Sequence, residues 1–260
     1  MKKTALFLAA VAAAALAGAA ETAKFAPSKP QDFLHGEKLE EKDGALVMRG
    51  GMFTTKEHVA FDSAKPGVLS LEYKLLPDAK PTMFVVAFDA RDAKGALLIG
   101  ANIFGHKGTE TELAAPVKKG DRVLKLKDGS RWQTPEFRRG TMVAFGAKAD
   151  SSDLPNRRIS SLIVSVSSEG EVRLRYPVGV DYPAGTSVRA HRDTGSFGIG
   201  STYLKPTAEW KKCTVKIRPR REGDAGSWWP FVEKVGVRFG FLGNNPEAGV
   251  MIRNIEFTQE

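Results

Sequence analysis

The sequence predicts an all-β protein: a jelly-roll β-sandwich carrying an inserted small β-subdomain, preceded by a signal peptide. Three observations predict it. Apolar residues alternate along most segments instead of recurring at helical spacing; turn signals punctuate those segments at short intervals; and the middle third changes texture.

The N-terminus reads as an export signal over 1–20. Lys2 and Lys3 precede an apolar run from Ala5 to Ala17, and Ala17 and Ala19 have the small-residue spacing of a cleavage site. The run is too short for a membrane span, which needs about 20 residues. "LAG" at 16–18 is followed by Ala19 rather than cysteine, against lipid anchoring. The expected product is secreted or periplasmic. Cys213 is the sole cysteine, so no intrachain disulfide is available and stability must come from a core.

Strands follow in order. "VLSLEYKL" (68–75) points Leu69, Leu71, Tyr73 and Leu75 one way and Ser70, Glu72 and Lys74 the other. "TMFVVAFDA" (82–90) is apolar on both faces, as a central strand would be. "EVRLRYPV" (171–178) turns Val172, Leu174 and Tyr176 inward and Arg173 and Arg175 outward. "CTVKIRP" buries Val215 and Ile217; "VGVRFGF" buries Val235, Val237, Phe239 and Phe241, leaving Gly236, Arg238 and Gly240 opposite; "VMIRNIEF" closes the chain. Turns such as "PDAKP", "KKGD", "KDGS" and "LGNNPEAG" separate them. Between residues 116 and 192 the phrases shorten, with "KKGD", "RRGT" and "PAGT" each introducing a strand. The expected division is 21–115 with 193–260 for the sandwich, and 116–192 for the insert.

The closing pattern, "EWKKCTVKI", "GSWWPF", "VGVRFGF" and "VMIRNIEF", resembles the C-terminal half of jelly-roll carbohydrate-binding modules and galactose-binding-like domains. Asn254, Ile255 and Phe257 match the final strand of those folds. The segment from "VKKGDRVLKLKDGSRW" to "YPAGTSVRAH" resembles small β-barrel inserts of exported proteins tied to polysaccharide processing. The resemblance implies carbohydrate binding. Many such modules hold structural calcium; Asn254 and Glu256 are the sole polar candidates on the last strand, which leaves that cofactor open and no other is expected.

Catalytic signatures are absent. His35, His58, His106 and His191 are scattered without ligand spacing and read as surface or loop residues. Cys213 reads as a packed thiol. "FDARD" sets Asp89 and Asp92 at odd spacing, a turn before Lys94-Gly95, and no paired-carboxylate run of the kind glycoside hydrolysis needs is present. The polar loop "DSSDLPNRR" (150–158) reads as a fastening for the insert, with a binding site as the other reading. Trp210 is expected in the core and Trp132 at an interface between insert and sandwich.

"GSWWPF" (226–231) leaves two readings open. Trp228 and Trp229 either plug an end of the sandwich, or one of them offers a flat face to a sugar ring. The net charge of +9 also has two readings, solubility or attraction to a polyanionic partner; for an exported protein the second means anionic polysaccharide, with neither nucleic acid nor a membrane span expected. The expected binding set is Trp228, Trp229, Arg238, Arg220 and Arg221, with no catalytic residue. A polysaccharide lyase or hydrolase, and a structural or assembly protein of the envelope, are the rival functions.

Overall fold

The computed structural model describes residues 23–133, 140–192, 199–219, 231–243 and 245–259. The export-signal stretch 1–20 lies outside these residues, as do Arg220, Arg221, Trp228 and Trp229. Among the described residues no helix is long and apolar enough to cross a membrane.

The chain opens with short strands β1 (Ala23–Phe25), β2 (Phe33–Leu34), β3 (Glu40–Lys42), β4 (Ala45–Arg49), β5 (Met52–Thr55) and β6 (Val59–Ala60). Longer β7 (Gly67–Leu75) and β8 (Phe84–Arg91) lead to a single helical turn, α1 (Gly100–Ile103). Then come β9 (Thr111–Glu112), β10 (Val123–Lys125), β11 (Thr141–Phe145), β12 (Ile159–Val166), β13 (Glu171–Leu174) and β14 (Ser187–Arg192). The last four are β15 (Ile199–Leu204), β16 (Lys211–Ile217), β17 (Lys234–Phe241) and β18 (Gly249–Gln259).

Three antiparallel sheets result. One runs β16-β7-β18-β4-β3 with β1 on β18; the second runs β15-β8-β17-β5-β2 with β6 on β17. Along the chain, β2 to β3, β4 to β5, β7 to β8, β15 to β16 and β17 to β18 each cross between these two sheets. That winding is a jelly roll. The third sheet, β10-β13-β12-β11-β14-β9, is inserted between β8 and β15.

The core between the first two sheets follows the alternation in the sequence. Leu69, Leu71 and Tyr73 of β7, Phe84, Val86, Phe88 and Ala90 of β8, and Val235, Val237, Phe239 and Phe241 of β17 share one cluster. Phe84 stacks on Phe239 at 6.0 Å, and Phe88 meets Phe257 edge-on at 5.8 Å. Each leucine, valine or phenylalanine of this set contributes roughly 1.5–3 kcal/mol by leaving water. β18 changes phase midway: Val250 and Ile252 face this core, and so do Ile255 and Phe257. A bulge between Arg253 and Glu256 makes the shift, with Asn254 at φ 51°. Asparagine tolerates that left-handed conformation better than most residues, so the residue matched to the final-strand pattern here turns the strand over. Its neighbour Glu256 pairs with Lys24 at 2.7 Å.

Trp210 departs from expectation. It packs against Ala45, Val47, Leu76 and Met251 on the outer side of the first sheet, under the guanidinium of Arg253 at 4.1 Å. The third sheet has its own core around Leu124, Val143, Phe145, Val172, Leu174 and Val188. Trp132 belongs to that core, 1% exposed, rather than to an interface; its Nε1–H donates to the Thr109 carbonyl at 2.9 Å. Tyr176, expected inward, lies past the end of β13 and is 63% exposed.

The turn α1 joins sandwich to insert. Leu98 just before it and Ile103 at its end sit in the sandwich core. Its Ala101 carbonyl accepts from Nδ1 of His191 on β14 at 2.7 Å. Asn102 and Asn156 exchange two bonds: the Asn156 amide donates to Asn102 O, and Asn102 Nδ2 donates to Asn156 O.

Candidate functional site

Along β8 the outer face of the second sheet is not wet. On β8 the residues between the core positions are Val85, Ala87 and Asp89, all buried, and Asp89 is wholly so. A carboxylate there must be met by donors. Oδ2 accepts from His58 Nε2 at 2.6 Å and from Arg91 Nε at 2.9 Å and Nη2 at 2.8 Å; Oδ1 accepts from Arg238 Nη2. Burial alone would raise the Asp89 carboxyl. The bonds from His58 and Arg91 and the charge of Arg238 outweigh it and hold the group below the usual carboxylate range.

Arg238 was expected to face a ligand's carboxylate or sulfate. The structure places it across from Thr54 and Ala87, 8% exposed, with Nε donating to Thr54 Oγ1 at 3.1 Å and Nη2 on Asp89. Gly236, two residues earlier, admits the segment that carries His58. A Cβ there would come within 2.5 Å of Thr55 Oγ1 and 3.1 Å of Glu57 O. The face stripped of bulk therefore accommodates the protein's own chain at this point.

Above this network lies a cleft of about 570 Å³ where the sandwich meets the insert. Asp92, Ala93, Lys94, Ala96, Phe231 and Glu233 line it from the sandwich, Pro155 and Arg157 from the insert. The "RDAKG" turn forms one wall. Asp92 Oδ1 accepts from the amides of Lys94 and Ala96, and Gly95 supplies the φ of +74° that closes the turn. Arg91 braces it from below, Nη1 donating to Gly95 O at 3.1 Å, so the buried Asp89 network and the cleft wall are one connected structure. Across the cleft, Arg157 reaches Asp92 Oδ2 at 2.6 Å and Leu97 O. Desolvation would raise the Asp92 carboxyl; the Ala96 amide and Arg157 together bring it below its ordinary value. Phe231 is half-buried at the rim, and Lys94 and Glu233 are exposed.

The opposite wall is held by the "DSSDLPNRR" loop. Asp153 pairs with the buried Arg189 of β14 at 2.9 Å, and Asn156 Nδ2 donates to Phe145 O and to Asp153. Arg189 Nε in turn donates to His191 Nε2 at 3.1 Å. His191, expected in a loop or on the surface, is wholly buried. Burial lowers it to about 4, the Arg189 charge adding to the effect while the Ala101 carbonyl opposes it. The ring is therefore neutral, with its proton on Nδ1.

Of the expected binding set, only Arg238 falls among the described residues. Phe231, the last residue of "GSWWPF", lines the cleft; Trp228 and Trp229 precede it by three and two positions. Sequence reasoning passed over His58, Asp89 and Arg157 as elements of one site. Cys213 is buried and its thiol is raised by that burial. Among the described residues, no three His, Cys, Asp or Glu side chains gather around a common point as metal ligands would.

No protein-family model matches the chain, and no curated protein matches it. Among solved structures the chain is similar to peanut lectin with a 9mer peptide (PVIWSSATG), at 13% identity over 93% of this chain and 98% of that one, with a TM-score of 0.30. At that score the likeness carries no argument; the strand winding and the cleft carry the fold and the site.

Proposed function

We propose that this protein binds carbohydrate, an anionic glycan in particular, in the cleft between sandwich and insert. The observation that carries the reading is the cleft's make-up. Its volume of about 570 Å³ falls in the range of ligand sites, roughly 300–1,000 Å³. An aromatic ring, Phe231, and the apolar Pro155, Ala93 and Ala96 stand beside the exposed cation Lys94, the paired Arg157 and Asp92, and Glu233. Sugar rings offer C–H faces to aromatic and aliphatic surface and hydroxyl or carboxylate groups to such cations. The walls are tied by the Asp92–Arg157 pair and by the bonds beneath the turn, so little ordering is left for a ligand to impose.

Hydrolysis is the second reading, because Asp92 and Glu233 share the cleft. Asp92, however, is held by two amides and a guanidinium, which suits a positioning carboxylate better than an attacking one. A glycan-array screen of the protein beside Phe231→Ala and Trp228→Ala/Trp229→Ala variants of unchanged thermal melt tests the proposal. Binding to acidic glycans that is weakened in the Phe231 variant supports it; glycan binding unchanged in both variants places the ligand elsewhere. Release of shortened products would favour hydrolysis.

A further inference from the structure

We propose that the open face of the third sheet, formed by β10 and β13, is a second binding surface, one for an acidic polysaccharide strand. None of its residues lines the cleft, and the inference stands independently of that site.

β13 alternates strictly: Val172 and Leu174 point into the insert's core, and Arg173, with Arg175 just beyond the strand, points out. Two residues apart on one strand face means about 6.7 Å between like charges. β10 adds Lys125, opposite Glu171, and Val123, opposite Arg173. Ser165 of β12 flanks Arg173 on its other side. Among the described residues, Lys125, Arg173 and Arg175 make no ion pair or side-chain hydrogen bond, whereas Lys118 and Lys127, elsewhere on the insert, are paired with Asp181 and Glu112. Glu171 is the one acid on these two strands. Like charges held side by side repel, and a polymer of regularly spaced anions laid along β13 relieves that repulsion while releasing counterions.

The apolar groups on and beside this surface decide the class of polymer. Val123 and Val164 are 44% and 60% exposed, and Tyr176, next to Arg175, is 63% exposed. Aliphatic contacts suit the C–H faces of sugar rings. Binding of single-stranded nucleic acid rests on several stacked aromatic platforms, and here one tyrosine is present. Arginine forks match carboxylate and sulfate alike, so uronic and sulfated glycans share the chemistry.

The test uses a fluorescent oligogalacturonate, with a chondroitin sulfate oligomer, a neutral dextran oligomer and a single-stranded oligonucleotide of equal charge as comparisons. Affinity for the oligogalacturonate or the sulfated oligomer is expected to fall about tenfold or more between about 50 and 300 mM salt; which of the two binds tighter separates carboxylate from sulfate recognition. Arg173→Ser/Arg175→Ser should remove that salt-sensitive component with an unchanged thermal melt, and should do so equally in a Phe231→Ala background, where binding in the cleft is already weakened. The inference is overturned if the double variant binds as the parent does, if binding to both acidic oligomers is indifferent to salt, or if the oligonucleotide binds tightest.

Discussion

Acidification should destabilise the fold through the buried His191. The ring is wholly buried on β14. Its Nδ1–H is committed to Ala101 O, and its Nε2 accepts from Arg189. A second proton would set a donor against a donor beside the Arg189 charge, with Asp153 close enough to offset part of the cost and His106 adding to it. The group takes its proton near 6.5 in the unfolded chain and near 4 in the folded one. Between those values the unfolded chain holds the extra proton, so stability rises with pH across this window and is lost as pH falls through it. Going from about pH 7.5 to pH 5 costs about 2 kcal/mol, and the full loss below pH 4 is roughly 3 kcal/mol. Asp89 and Asp153 are held below the usual carboxylate range, so their losses fall mainly at still lower pH. Urea titrations at both pH values, on the parent and on His191→Gln, isolate the term, because the glutamine keeps a donor and an acceptor but no titratable proton. The parent should lose about 2 kcal/mol more than the variant. Equal losses would refute the reasoning and mean that the junction admits the charged ring.

Three substitutions probe the rest of the framework. Asp89→Asn removes the buried carboxylate that Arg91 and Arg238 meet and should cost about 3–5 kcal/mol, whereas Asp89→Leu with Arg238→Met should cost less than Asp89→Asn alone, both read by chemical denaturation. Trp132→Ala should cost about 3–5 kcal/mol and give the insert's amides faster hydrogen exchange than those of the sandwich core. Gly236→Ala should destabilise by about 1–3 kcal/mol, because its methyl meets the Thr55 hydroxyl, the Glu57 carbonyl and the His58 ring; a neutral result in a melt would mean that the segment yields freely.

The strands of the sandwich were legible because each has one face on a single core, and alternation records that directly. Leu69, Leu71 and Tyr73 on β7 and the valine–phenylalanine series on β17 carry the pattern. Two features escaped it. On β18 the bulge at Asn254 shifts the inward set by one residue, which a strict period of two cannot show. On β14, "SVRAHR" alternates as a half-wet strand should, yet α1 and the 148–156 loop cover its polar face, so Arg189 and His191 are buried. The Asp89 network escaped for a related reason: its partners His58 and Arg238 lie 31 and 149 residues away, and no local motif encodes that meeting. Of the proposed cleft, the turn after Asp89 was readable from Asp92 and Gly95, and the fastening role of 150–158 from its density of hydrogen-bonding side chains. That the two face each other is a product of the winding.

The most direct test of the cleft is a calorimetric titration of the acidic oligosaccharide ranked first on the array into the parent and into Phe231→Ala, both with matched melts. Saturable binding that includes one cleft site per chain is expected in the parent, and in the variant that site should lose about tenfold or more in affinity, the worth of one stacked ring and its apolar contact, while binding on the β10–β13 face is unchanged. Identical isotherms for the two proteins, or no binding of any glycan by the parent, would contradict the cleft reading.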